Sequence, residues 1–411
     1  MPVSPGRSRK STQGRSTARE VLIEVREYLG TEAIGGIVLV GATCLALLWA
    51  NLPLGDSYED FWHSNLSLGI GDWSVSRDLR HWVSEGLMAM FFFVVALETK
   101  RELLVGKLRG ARKAALPVIG AVGGMVVPAL LFLVINIGEG GTAGWAIPTA
   151  TDIAFAVGVV ALVAPNLPQA AKVFLLSLAI VDDVGAILII GLVYSAGVSW
   201  GHLAVASCAL LLIIGLRRAG LHHWLFFLAL GLIVWLATLE SGVHATIAGV
   251  ALGFVTPVRR SDDEPSAGER LEDMLHPWTS FLVIPVFALA NAGLEITSGS
   301  ISDSFGSKVT LGVLVGLVIG KPLGISLAVA LATRLGVGEM PEGTRARDMV
   351  GLGAIAGIGF TVSLFIADLA FEDGARVREA TVGIAAASIL AATIGGIILQ
   401  RVGHGRGKIK Q

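Results

Sequence analysis

The fold is decided by the stretch Val173-Phe174-Leu175-Leu176-Ser177-Leu178-Ala179-Ile180-Val181-Asp182-Asp183-Val184-Gly185-Ala186-Ile187-Leu188-Ile189-Ile190. Without Asp182 and Asp183 it would be an unremarked apolar run, long enough to cross a bilayer as one helix. An Asp at the centre of such a helix costs about 2.5 to 3.5 kcal/mol on insertion scales, so the adjacent pair implies a cost on the order of 5 kcal/mol. Carboxylates kept at that cost point to function. Outward from this stretch lie two more ionisable groups in apolar surroundings. Asp152 stands in Pro148-Thr149-Ala150-Thr151-Asp152-Ile153-Ala154-Phe155, and Lys321 stands in Val318-Ile319-Gly320-Lys321-Pro322-Leu323-Gly324. They supply a third carboxylate and a counter-charge.

The whole chain fits this reading. Of its 411 residues, 54% are hydrophobic and only 15% are charged, with 52 glycines. The mean hydropathy of +0.73 is that of an all-α polytopic membrane protein rather than a soluble domain. A net charge of -1 excludes a nucleic-acid partner, because phosphate binding needs a concentrated basic surface. Cys44 and Cys208 both lie in apolar runs, which predicts buried thiols rather than a disulfide or a metal site. Residues 1–30 carry six Lys/Arg among Ser, Gly and Thr and read as a polar cytoplasmic tail, not a cleavable signal peptide. Residues 31–401 form the membrane domain, and 402–411 a short cytoplasmic C-terminal tail.

Apolar segments fall near 32–51, 81–99, 115–137, 143–164, 170–195, 201–216, 222–239, 243–257, 276–294, 309–333, 348–371 and 379–400, which predicts about 12 transmembrane helices. With both termini inside, 25 Lys/Arg lie in inner regions and five in outer loops, Lys321 alone remaining in the membrane. This is a strong positive-inside bias. In the polar outer loop 52–80, Leu66-Ser67-Leu68-Gly69-Ile70-Gly71-Asp72-Trp73-Ser74-Val75-Ser76 alternates around a Gly-Asp turn and predicts a small β-hairpin. A lone hairpin is marginal in water, so it needs either a second copy or the top of the bundle against it. Two segments have broken helical character. In 143–164 the break is Pro148-Thr149-Ala150-Thr151-Asp152, and in 348–371 four glycines, Gly351, Gly353, Gly357 and Gly359, lie near mid-membrane before Thr361.

At Thr151-Asp152-Ile153-Ala154-Phe155, Leu178-Ala179-Ile180-Val181-Asp182-Asp183-Val184-Gly185-Ala186 and Gly320-Lys321-Pro322-Leu323-Gly324 the sequence resembles the NhaA-type sodium/proton antiporters. Further matches are Gly86-Leu87-Met88-Ala89-Met90-Phe91-Phe92-Phe93, Glu98-Thr99-Lys100-Arg101-Glu102, Ser241-Gly242-Val243-His244-Ala245-Thr246, Leu275-His276-Pro277-Trp278, Ala290-Asn291-Ala292-Gly293 and Gly357-Ile358-Gly359-Phe360-Thr361-Val362-Ser363. Only the N-terminal tail and the loop near 260–269 lie outside the resemblance. Segments 3-4-5 and 10-11-12 start from opposite sides of the membrane, the inverted-repeat arrangement of which this family is itself an example. The expected fold therefore has two broken helices crossing at the midplane and a periplasmic hairpin.

The chemistry of the residues fits an alkali-cation site, because a hard ion takes anionic and carbonyl oxygens such as those of Asp183, Asp152, Thr151 and unwound backbone. Adjacent helical residues point about 100° apart, so Asp182 and Asp183 cannot both face one ion. The resemblance implies that Asp183 is the principal Na+ ligand and that Asp152 assists. It also implies that Asp182 pairs with Lys321, a candidate proton carrier, and that Gly357, Gly359 and Thr361 furnish the crossing backbone. The alternative for Asp152 and Lys321 is structural charge balance. The resemblance further implies electrogenic exchange of two protons inward for one sodium or lithium outward in a bacterial inner membrane, by a homodimer, with no enzyme activity and no cofactor. Glu98, Arg101, Glu102, Glu272 and His276 would sense pH at the inner surface, with Asp273 between the last two. His244, near Glu240, reads as packing or titrating, and Glu85, Asn291 and Thr361 as helix-packing or pathway residues. An intramembrane aspartyl protease needs carboxylates facing each other from different helices, and a channel needs rings of charge. A sodium-coupled solute symporter is the nearer alternative and would show more polar groups in the crossing.

Overall fold

The computed structural model describes residues 34–407 apart from 54, 71–72, 107–110, 196, 222, 259–264 and 296–302. The N-terminal tail therefore lies outside the described residues. In chain order the structure contains α1 (Ile34–Asn51), α2 (Gly55–Trp62), the strands β1 (Asn65–Ile70) and β2 (Trp73–Asp78), α3 (Leu79–Leu104), α4 (Ala111–Asn136), the 3-10 helix α5 (Thr142–Thr149) and α6 (Ile153–Val163). It continues with α7 (Gln169–Val193), α8 (Trp200–Arg218), α9 (Trp224–Leu239), α10 (Thr246–Val255), α11 (Ala267–Asn291), α12 (Lys308–Arg334), α13 (Ala346–Ala356), α14 (Phe360–Ala370) and α15 (Gly374–Gly407). Among the described residues, eight helices are long and apolar enough to cross a membrane. The bent pairs α5–α6 and α13–α14 bring the number to ten, and α9 and α10 are shorter apolar helices. The chain is a multi-pass, all-α membrane protein with one small sheet.

Both breaks fall where the sequence placed them. α5 and α6 meet at 41°, α13 and α14 at 50°. Apolar side chains collect in two large clusters, one around Phe92, Phe132, Phe287 and Phe365, the other around Phe174, Leu178, Ile325 and Leu352. Phe155 packs against both. Ile358 belongs to one cluster and Phe360 to the other, so the break in α13–α14 lies at the seam.

Close helix approach is bought with small residues. On α10, Gly249 and Gly253 are four apart, and a Cβ on either would run into α3, at the Ala89 carbonyl and the Ala96 side chain. Without a hydrophobic drive in lipid, backbone contact of this kind is what holds two helices together. α10 is tied down at its other end by Lys100, whose Nζ donates to the carbonyls of Phe254 and Thr256 at 2.6 Å each, and by Arg217, which donates to the Val255 carbonyl. These are the orphan carbonyls of a helix C-terminus, and cations suit that end of the dipole.

Among the described residues three helices contain a π-turn: Val83–Leu87 in α3, Thr279–Val283 in α11 and Gly316–Gly320 in α12. The second and third lie just before Pro285 and Pro322, which lack the N–H that would continue the regular ladder. The last ends at Lys321, so an extra residue in the turn sets the direction in which that side chain leaves α12.

The hairpin forms as expected, with Leu66 opposite Arg77 and Leu68 opposite Val75. Within this chain it is held against the bundle, since the Trp82 indole donates to the Leu66 carbonyl at 2.9 Å. Beside it, Tyr58 of α2 is buried, and its hydroxyl lies 2.8 Å and 2.9 Å from the carbonyls of Leu289 and Ala290. Burial pushes this phenol up to about 12, against the opposing pull of Arg80.

Two expectations need correction. Cys44 and Cys208 are exposed, not buried. In a membrane helix an apolar neighbourhood marks a lipid-facing side as readily as a protein core, so apolarity alone does not predict packing. The segment expected to begin at 276 begins at Ala267, because Ser266 and Glu269 form a capping box that starts the helix in polar sequence. The last helix, α15, runs on to Gly407.

Candidate functional site: the helix crossing and its inner cavity

Breaking a helix exposes orphan groups of two kinds: helix starts with unpaired N–H and helix ends with unpaired C=O. At the crossing, two starts and two ends all find charged or hydroxyl partners. Asp152 is the N-cap of α6, its Oδ1 accepting from Phe155 N–H at 3.0 Å. Its Oδ2 accepts from Thr361 N–H at 3.1 Å and from the Thr361 hydroxyl at 2.7 Å, at the start of α14. Its backbone N–H donates to the Ile358 carbonyl at 2.7 Å. One carboxylate thus sits on the positive ends of two helices, where the dipoles favour negative charge.

The negative ends are met by Lys321 and Thr151. Lys321 Nζ donates to the Thr149 carbonyl at the end of α5 and, at 2.6 Å, to Asp182 Oδ2. Lys321 and Asp182 are both fully enclosed by protein. The Thr151 hydroxyl lies 2.6 Å from the same Asp182 oxygen and 2.9 Å from the Ala356 carbonyl at the end of α13. Gly357 and Gly359 flank the break, where a Cβ at Gly357 would strike the Leu317 carbonyl and one at Gly359 the Ser363 hydroxyl. Side chains there would push the two broken helices and α12 apart.

Asp183, one residue on, is turned elsewhere. It lines a cavity bounded by Phe91, Val94, Val95 and Glu98 of α3, by Thr151, Asp152, Ile153 and Ala154, by His276, Thr279, Ser280 and Ile284 of α11, and by Thr361 and Val362. Asp183 is 1% exposed, and its Oδ1 is a buried oxygen with no hydrogen-bond donor among the described residues. A buried, undonated carboxylate oxygen beside a second carboxylate and two hydroxyls is an arrangement for a small hard cation. Among the described residues no three His, Cys, Asp or Glu side chains cluster as metal ligands, so any bound cation would draw largely on neutral oxygens.

Of the residues expected to sense pH, two reach the cavity. Glu98 and His276 line it. Arg101 Nη2 meets Glu272 Oε1 at 2.9 Å, joining α3 to α11. Glu102 is buried and Asp273 exposed. His244 does not pair with Glu240. Its Nδ1 lies 3.0 Å from Glu85 Oε1, its Nε2 2.9 Å from the Tyr194 carbonyl, and Glu85 Oε2 accepts from Ala245 N–H at 2.6 Å. Glu85 therefore fastens α3 to the start of α10. Asn291 Nδ2 donates to the Phe287 carbonyl one turn earlier on the same helix, at 2.9 Å. Thr149, Thr279 and Ser280 were not found from sequence. Thr149 contributes only a carbonyl, which leaves no mark in a sequence, and the two hydroxyl residues of α11 look like ordinary helix positions.

Two broken helices crossing beside buried carboxylates and a buried lysine define a secondary ion transporter. The profile of the family described as Na+/H+ antiporter 1 matches residues 26–399. The Na(+)/H(+) antiporter NhaA of Shewanella frigidimarina is 46% identical over 92% of this chain and 96% of its own length. The proteins of the same name from Shewanella loihica and Shewanella pealeana are 43% and 44% identical, each over 92% of this chain and 97% of their own. The chain belongs to the NhaA family of sodium/proton antiporters, and its activity is Na+/H+ antiport.

Proposed function

We propose that this antiporter runs one cavity in alternation, Asp183 and Asp152 with the Thr151 hydroxyl holding either a sodium ion or protons but never both. The observation that carries the reading is the buried Asp183 oxygen that receives no hydrogen bond among the described residues, in the cavity shared with Asp152. Competition of this kind couples the two fluxes without a separate gate, because an empty carboxylate is costly in a buried site and each load relieves it. The exchange is electrogenic, two protons entering for each sodium or lithium leaving, with Asp182 and Lys321 as the second proton-handling pair. A coupled solute symporter is less well supported, since beyond the three carboxylates, His276 and four hydroxyls the cavity is lined only by Phe, Val, Ile and Ala.

The remaining parts of the reading concern the molecule in its membrane. It spans the bacterial inner membrane twelve times, α9 and α10 included, with both termini in the cytoplasm and the two three-span groups as inverted repeats. The excess of Lys/Arg in alternate loops supports this orientation. Glu98, Arg101, Glu102, Glu272 and His276 set the response to cytoplasmic pH, and the hairpin joins two copies into a homodimer. The decisive experiment measures sodium-driven proton release in everted vesicles. Asp183→Asn abolishes it and Asp152→Asn weakens it, because the amide oxygen of the substituted side chain still caps a helix start. Normal exchange by the Asp183 variant would overturn the assignment.

A further inference from the structure

The partly exposed His276 marks the open side of the cavity, and Thr151, Asp152, Asp183 and Thr361, at most 3% exposed, lie deepest in it. A sodium ion that sheds water in this cavity meets the apolar side chains of Phe91, Val94, Val95, Ile153, Ala154, Ile284 and Val362 among its lining. None of these side chains can replace a water oxygen. Besides the buried Glu98 carboxylate, side-chain oxygens come from Thr279 and Ser280, one turn on from the partly exposed His276 on the same face of α11 and 3% and 4% exposed.

The state of the Thr279 hydroxyl matters. Its proton is committed to the His276 carbonyl at 2.8 Å, so the oxygen has only lone pairs left to offer. A hydroxyl fixed in this way serves as a ligand for a cation and not as a donor to an anion. Both residues open the π-turn Thr279–Val283, whose wider winding departs from the regular ladder, a form frequently found at functional sites. The two hydroxyls are therefore held together on the turn of α11 that follows His276.

We propose that Thr279 and Ser280 form a staging site for the partly dehydrated alkali cation, between the open side of the cavity and the Asp183–Asp152 site. The inference rests on the reading of this cavity as sodium's path. The site takes a monovalent hard cation through neutral oxygens alone, so it binds weakly and acts on the rate of passage from the inner face.

The test uses the full-length chain in proteoliposomes of defined orientation, with sodium supplied to one face at a time. The double variant Thr279→Val, Ser280→Ala raises the apparent KM for sodium at the inner face by roughly five-fold, the size of one or two neutral oxygen contacts, and leaves the outer-face KM and the saturated turnover unchanged. Thr279→Ser, which keeps the hydroxyl, behaves as the unaltered protein. An inner-face KM that does not move, or inner and outer values that rise together, would overturn the staging site, the second result marking a merely structural role. Should the double variant not fold, Ser280→Ala alone carries the same comparison. The larger reading fails separately: exchange that survives Asp183→Asn removes the path itself, whatever the hydroxyl variants do.

Discussion

Asp182 and Lys321 face each other with no solvent on either side, so removing one leaves the other as an uncompensated buried charge costing about 3 to 5 kcal/mol. Lys321→Ala accordingly lowers the melting temperature in detergent, and Asp182→Asn added to it recovers much of the loss. The recovered double variant then separates stability from transport. If Lys321 carries a proton, the current per sodium exchanged falls toward zero in solid-supported membrane recordings, and a fully electrogenic double variant would leave the protons to the carboxylates. These residues were legible in sequence because a charge among Val, Ile and Leu has no inexpensive explanation in a membrane. Thr279 and Thr149 were not, since a hydroxyl in a membrane helix satisfies itself on the preceding turn and a backbone carbonyl belongs to every residue. Thr151 adds a count of its own. It has one proton and two acceptors, Asp182 and the Ala356 carbonyl, so whichever of them receives it leaves the other without it.

At the level of helices, periodicity and breakers located every apolar segment, and the ends were where the reading slipped. α11 starts nine residues before the expected position because a capping box, not hydropathy, begins it, and Glu272 owes its pairing with Arg101 to that extra polar length. The α3–α10 contact was not visible either, as the spacing of Gly249 and Gly253 says that some helix comes close without saying which. Gly249→Val forces α10 away from the Ala89 carbonyl, and thermal unfolding followed by tryptophan fluorescence is expected at a temperature several degrees lower. α2 offers a check at high pH. The Tyr58 phenol is favoured in its neutral form by the fold, so its contribution is complete below the ordinary value of 10.0 and is lost as pH rises through about 12. Across that window the melting temperature of the unaltered protein falls more steeply than that of Tyr58→Phe.

For the molecule as a whole, orientation is the property most cheaply tested. With Cys44 and Cys208 replaced by Ser, a cysteine at Ser74 of β2 reacts with an impermeant maleimide in intact cells, and one at Asp273 of α11 reacts only after permeabilisation. The reverse pattern inverts the topology. The charge distribution made this expectation possible, whereas the packing of one span against another came only with the structure, because lipid and protein present similar apolar surroundings to a helix. The crossing has a consequence for movement. Asp152 is bonded through its backbone to Ile358 and through its carboxylate to Thr361, so neither broken helix can slide past the other without tearing these bonds. The crossing is a pivot pin. The alternating opening of the cavity proposed above would then swing the helices about this point, their far ends travelling furthest. Spin labels on the α13 end near Asp348 should therefore shift between sodium-loaded and proton-loaded protein by several times the shift of labels beside Ile358.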